Sequence, residues 1–150
     1  MAREERCVLT NMVMVCDGTR ILVQDRLNPD WPGITFPGGH VEPCEAFADS
    51  AVREVKEETG LDIADVRLCG VQQWAREGEP RHVVFCYKTS TFSGELKSSE
   101  EGRVFWIEPC ELKNLRLSTD FAEMYAVFAD DGVSENCFLG PDDDRTVLTR

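Results

Sequence analysis

Three glutamates, Glu54, Glu57 and Glu58, fall within about one helical turn of each other in GHVEPCEAFADSAVREVKEETGL, residues 39–61. Side chains three and four apart share a helix face, so a helical reading points all three carboxylates one way. Such crowding repels, each like-charged i,i+4 pair costing about 0.2–0.5 kcal/mol even in water. A hard divalent cation turns that repulsion into ligation, and an all-oxygen donor set suits Mg²⁺ or Mn²⁺. Taken alone, such a run is more often a solvated acidic face than a site.

The surroundings favour the cation. A turn of Phe36, Pro37, Gly38 and Gly39 precedes the helix, Glu45 and Arg53 flank it, and Gly60 stops it. The segment resembles the Nudix box, G-x5-E-x7-R-E-U-x-E-E-x-G-U with U a bulky aliphatic residue. Gly39, Glu45, Arg53, Glu54, Val55, Glu57, Glu58, Gly60 and Leu61 fill its defined positions. The resemblance implies an α/β/α sandwich around a mixed sheet, and hydrolysis of a nucleoside diphosphate linked to another group. It implies Glu54, Glu57 and Glu58 as metal ligands, with the Gly38 carbonyl as a further one. Glu57, Arg53 and Glu101 are the catalytic set it suggests, Arg53 acting by orienting carboxylates together with Glu45. Gly39 and Gly60 are structural supports.

Two residues outside the box follow from likeness to MutT-type members. Glu101 occupies the place of a later-loop glutamate that reaches back to the metal, with Glu100 as its competitor. Arg26, at the end of a strand, matches an arginine that contacts phosphate. Cys44 and Ala46 depart from a common pattern of glycine and Ser or Thr there, leaving the helix start without a hydroxyl cap. The run WPGITFPGG, residues 31–39, looks most like MutT-type proteins assigned to 8-oxo-dGTP hydrolysis. The expected reaction releases a nucleoside monophosphate and pyrophosphate. Nucleotide sugars, dinucleoside polyphosphates and a non-catalytic nucleotide-binding regulator are the alternatives. Trp31, Trp74 and Phe92 could stack on a base, and His40 could lie near the metal, without firm assignment.

The elements that must position these groups follow from apolar runs and turn residues. Strands are expected over residues 7–15 and 20–26, joined at Asp17-Gly18, and a short one at 34–36 after the loop 28–33. The helix is expected over 45–59, burying Phe47, Ala48, Ala51, Val52 and Val55. Strands at 66–75, 82–91 and 103–107 follow, then a helix over 119–128 capped by Ser118. Residues 130–150 are acidic and turn-rich and are expected to form a poorly ordered tail. This order predicts an α+β fold in a single domain over residues 1–150.

The net charge is −12, from 16 basic and 28 acidic residues. That excludes the basic footprint long nucleic acid requires, but not a small nucleotide partnered by a cation. No apolar run is long enough to span a membrane, and the N-terminus lacks a signal-peptide core, so a cytoplasmic protein is expected. The seven cysteines contain no C-x-x-C pair and read as reduced core residues. Oligomeric state is not legible.

Overall fold

The computed structural model describes residues 3–141 and 145–150. Residues 1 and 2 of the N-terminus and Asp142 to Asp144 of the acidic C-terminal run lie outside them. The chain runs β1 (Cys7–Asp17), β2 (Arg20–Arg26), β3 (Gly33–Thr35), α1 (Phe47–Thr59), β4 (Asp62–Ala64), β5 (Arg67–Trp74) and β6 (Arg81–Thr89). It continues with β7 (Thr91–Ser93), β8 (Gly102–Ile107), a 3-10 segment (Pro109–Asn114), α2 (Phe121–Ala129), β9 (Glu135–Leu139) and β10 (Thr146–Thr149).

A mixed sheet forms the middle layer in the order β10-β9-β5-β6-β1-β2-β3, with β8 on the other side of β2. β1 pairs in parallel with β6 over its first nine residues. Residues 11–15 of β1 are buried on both faces, as a covered central strand requires. One face carries Met12, Met14, Ile21, Val23, Val84 and Cys86 under Phe121, Met124, Val127 and Phe128 of α2. The opposite face carries Val13, Val15, Leu22, Tyr87 and Val104 under Ala51 and Val55 of α1. The expected α/β/α sandwich is what the chain forms.

Several expectations need correction. Residues 130–150 hold β9 and β10, which extend the sheet edge, β9 running parallel to β5. Strand pairing between distant segments leaves no local pattern, so composition alone suggested a loose tail. Ser118 does not cap α2: its hydroxyl is buried without a partner among the described residues, and the helix starts from Asp120 in a left-handed conformation. Phe47 is 41% exposed and stacks on Phe85 at 4.2 Å instead of entering the core. Of the free cysteines, Cys86 and Cys137 are buried, whereas Cys7, Cys44 and Cys110 are exposed.

The start of α1 shows what the departing residues do. Ala46 is its N-cap and makes no side-chain hydrogen bond, and Cys44 holds a left-handed backbone at φ 65°. A residue with Cβ pays about 1–2 kcal/mol there, part of which glycine returns through its freer unfolded chain. Cys44→Gly is therefore expected to raise stability by about 0.5–1 kcal/mol, or roughly 1–4 °C in Tm. An unchanged or lower thermal midpoint would count against this account of the loop.

Candidate active site

The site begins where the sheet divides. β2 pairs with β1 only at Cys16↔Ile21 and Asp17↔Arg20, and then with β3 from Gln24 to Arg26 along the same edge. The two strands part, and residues 37–41 fill the gap against β1. Val13 N–H donates to Pro37 O at 2.9 Å, Asn11 N–H to Gly39 O at 2.8 Å, and Val41 N–H to Leu9 O at 2.9 Å. A Cβ on Gly38 would stand 2.2 Å from the Asn11 carbonyl oxygen, so only glycine permits this approach. A Cβ on Gly39 would lie 2.5 Å from the Glu54 carboxylate carbon. Gly39 thus makes room for a side chain, not for backbone.

That difference gives a prediction. Gly39→Ala is expected to fold with a near-unchanged Tm, because the Glu54 side chain can swing away. Its kcat/KM is expected to fall by roughly 10²-fold, the scale of a 1 Å misplacement at reacting groups. A variant with normal turnover would show that the placement of Glu54 is not required.

The helix presents its glutamates unequally. Glu58 is 3% exposed and accepts the Gly38 N–H at 2.9 Å. Burial pushes its pKa up to about 8, with the neighbouring Glu101 and Glu54 adding to the rise and the Gly38 N–H opposing it. Glu54, with its side chain 13% exposed, is also raised by burial, against the pull of Arg53. Glu57 is 59% exposed and points to the Arg53 guanidinium at 3.3 Å. The three carboxylates therefore do not point one way: successive residues turn by roughly 100°, which separates 57 from 58 by that angle. Among the described residues, no three acidic, histidine or cysteine side chains are gathered closely enough to ligate one ion as they stand.

Arg53 is the hub. Its Nε and Nη2 hold both oxygens of Glu45 at 2.8 and 3.0 Å. Nη1 reaches Glu54 at 2.8 Å, and Nη2 also donates to His40 O at 3.0 Å. These bonds keep the Glu45 carboxyl well below the usual range, at about 2, and raise the Arg53 pKa further. Both pairings expected of Arg53, with Glu45 and Glu57, are present. Gly60 ends α1 at φ 77°, its N–H on Lys56 O at 3.0 Å.

A cleft of about 1450 Å³ opens over this corner, lined by Gly38, Gly39, His40, Glu54 and Glu58 together with Arg26, Glu100 and Glu101, with Glu101 lying against Glu58. Arg26 lies 4.0 Å from Glu101 and over the Trp31 ring at 5.2 Å, and its buried Nε has no hydrogen-bond partner among the described residues. Trp31 and Trp74 line the cleft, Trp74 stacked on His82 at 4.8 Å. Phe92 does not; it packs against Trp106 on the α1 side. Sequence reasoning missed Asn11, His82, Asp120, Phe138 and Arg145, which complete the walls. An asparagine inside the apolar run of β1 was the one readable signal among them.

The family model for the NUDIX domain matches residues 8–128. An uncharacterized Nudix hydrolase of Bacillus subtilis is 31% identical over 117 residues, covering 73% of this chain and 71% of that protein. A CTP pyrophosphohydrolase of Escherichia coli is 30% identical over 96 residues, covering 63% of this chain and 70% of its own. Some relatives are longer, and the match then spans only 30% or 52% of their length. Among solved structures, the MutT protein of Bacillus halodurans superposes with a TM-score of 0.75 at 23% identity, covering 93% of this chain and 97% of that one. That likeness is one of fold. With Gly39, Glu54 and Glu58 of the box lining one cleft and the family match running from β1 to α2, the chain belongs to the Nudix hydrolase family.

Proposed function

We propose that the chain hydrolyses the phosphoanhydride of an oxidised nucleoside triphosphate such as 8-oxo-dGTP, giving the monophosphate and pyrophosphate. The observation that carries this reading is Glu58, a carboxyl group 3% exposed beside Glu54 and Glu101, which accepts a hydrogen bond from the neutral Gly38 N–H and shares one with Glu101. Burial keeps that carboxyl protonated up to about pH 8, so a bound cation is what would let it ionise at neutral pH, and the donors are all oxygen. Glu54, Glu57 and Glu58, with the Gly38 carbonyl, would hold Mg²⁺ or Mn²⁺ after small side-chain rotations. The bound ion supplies charge neutralisation on the phosphoryl oxygens.

The remaining roles fall to the chain itself. Arg26 would offer its guanidinium to phosphate oxygens from the cleft lining. Glu101 and Glu57 are the carboxylates free to take a proton from the attacking water. Arg53 orients Glu54 and Glu57. Two relatives carry 8-oxo-dGTP diphosphatase in their names, which supports the oxidised purine. Others are named for CTP and ADP-ribose, so the base must be tested across a panel.

The test is incubation with Mg²⁺ and canonical and oxidised nucleoside triphosphates, ADP-ribose, nucleotide sugars and dinucleoside polyphosphates, followed by product identification. Monophosphate and pyrophosphate from 8-oxo-dGTP ahead of the others is the expected result, with Glu57→Gln and Glu101→Gln strongly impaired. Binding without Mg²⁺-dependent turnover of anything would identify a nucleotide-binding regulator instead.

A further inference from the structure

Asn11 lies near the centre of β1, 0% exposed, between Thr10 and the apolar side chains of residues 12–15. A carboxamide buried there costs more than an aliphatic residue of similar size unless its bonds serve something. Its Nδ2 donates to Ser50 Oγ on α1 at 2.8 Å. Ser50, also 0% exposed, donates in turn to His40 O at 3.3 Å. Arg53 Nη2 donates to the same His40 oxygen at 3.0 Å and approaches Ser50 Oγ at 3.5 Å. The hydroxyl's one donor and two acceptor positions are thus all engaged. The Asn11 backbone meanwhile holds Gly39 O and leaves no room for a Cβ on Gly38.

We propose that Asn11 is a positioning residue that sets, through Ser50, the distance between the Gly38–Gly39 turn and the glutamates of α1. This rests on the reading that those glutamates take a divalent cation. β1 carries the turn by backbone pairing, and α1 carries Glu54, Glu57 and Glu58; the Asn11–Ser50 bond is a direct polar tie between the two. Without it, the Ser50 hydroxyl is free to turn back on its own helix carbonyls. His40 O then loses one donor, and Arg53, which shares that oxygen, loses the fixed point from which it holds Glu45, Glu54 and Glu57.

The experiment uses Asn11→Ala, Ser50→Ala and the double variant, with Val15→Ala as a control. Val15 is equally buried on β1 but packs only in the apolar layer under α1. Mn²⁺ affinity is read from the free-ion electron paramagnetic resonance signal, Tm is measured with chelator, and kcat and KM on the best nucleotide of the panel. Each single variant is expected to weaken Mn²⁺ binding roughly tenfold, the scale of lost support around a ligand set. The double variant should be no weaker than the worse single one, and kcat should fall more than KM rises. Val15→Ala should lower Tm and leave Mn²⁺ affinity alone.

Wild-type Mn²⁺ affinity in either folded single variant, or losses that add in the double, would overturn the proposal. Should Asn11→Ala fail to fold, Ser50→Ala, which removes one oxygen, tests the same link with the same two outcomes. An unmodified protein that binds Mn²⁺ but cleaves nothing would end the proposed function and leave this inference standing. One that binds no Mn²⁺ would end the inference as well.

Discussion

Glu58→Gln is expected to yield a protein that is more stable than the original and turns over almost nothing. Burial raises the Glu58 pKa from its ordinary value near 4.5 to about 8. Between those values the folded state keeps a proton that the unfolded state releases, so stability falls as pH rises through this window. The contribution is fully present below about 4.5 and lost by about 8. Glutamine cannot ionise, and its amide oxygen can still accept the Gly38 N–H. The variant should therefore match the wild type near pH 4.5 and exceed it increasingly toward pH 8. A gain of at least about 1 kcal/mol is expected there, read with chelator as roughly 2–4 °C in Tm. Added Mg²⁺ should stabilise the wild type by mass action and the variant much less. Turnover should drop by roughly 10²–10⁴-fold. Equal midpoints across pH 5–8 would mean that burying this carboxylate costs nothing.

Arg53→Lys carries the second large effect, because it retains the charge and still fails. The guanidinium makes a fork to both oxygens of Glu45 while reaching Glu54, Glu57 and His40 O. An ammonium is a single point with three donors and cannot span those acceptors at once. The lysine variant is expected to lose roughly 10–100-fold in kcat, close to Arg53→Ala, since what matters is the relative placement of Glu54 and Glu57. Both variants should lose about 1–3 kcal/mol of stability through the severed link between the loop and α1. A lysine variant with near-normal kcat would reduce Arg53 to a source of charge.

The difference between what the residues reveal and what they conceal follows from the range of each interaction. The β1–β2 hairpin, α1 and its Gly60 stop rest on neighbours in the chain, and their positions were readable to within about two residues. Glu101 was named from likeness to MutT-type members, and the acidic loop that carries it, just before β8, is a local landmark in the chain. The parting of β1 from β2 was not readable, because it depends on residues 37–41 competing for the same strand edge. Nor was the β5–β9 pairing, which alone makes the last residues a wall of the cleft. Glu57 was read as pointing the same way as Glu54 and Glu58 because each lies within about 60° of Glu54 around the helix, although the two lie about 100° from each other. Which side meets the sheet is decided by Ala51 and Val55, and Glu57 falls outside it. Asn11 was read simply as part of a strand, its partner Ser50 being 39 residues away.

The way the turn is held has a consequence for how the enzyme comes into being. The glycines at the mouth of the cleft owe their shape to β1, and β1 is itself fixed over residues 7–15 by β6 at residues 81–89. Loop closure over that span must be completed before the turn has a rigid edge to lie on. Glu101 arrives later still in the chain. A protein emerging from the ribosome would thus carry every residue of the box well before it could hold them in place. Maturation of this site is therefore expected to be a late event that follows insertion of β6 beside β1.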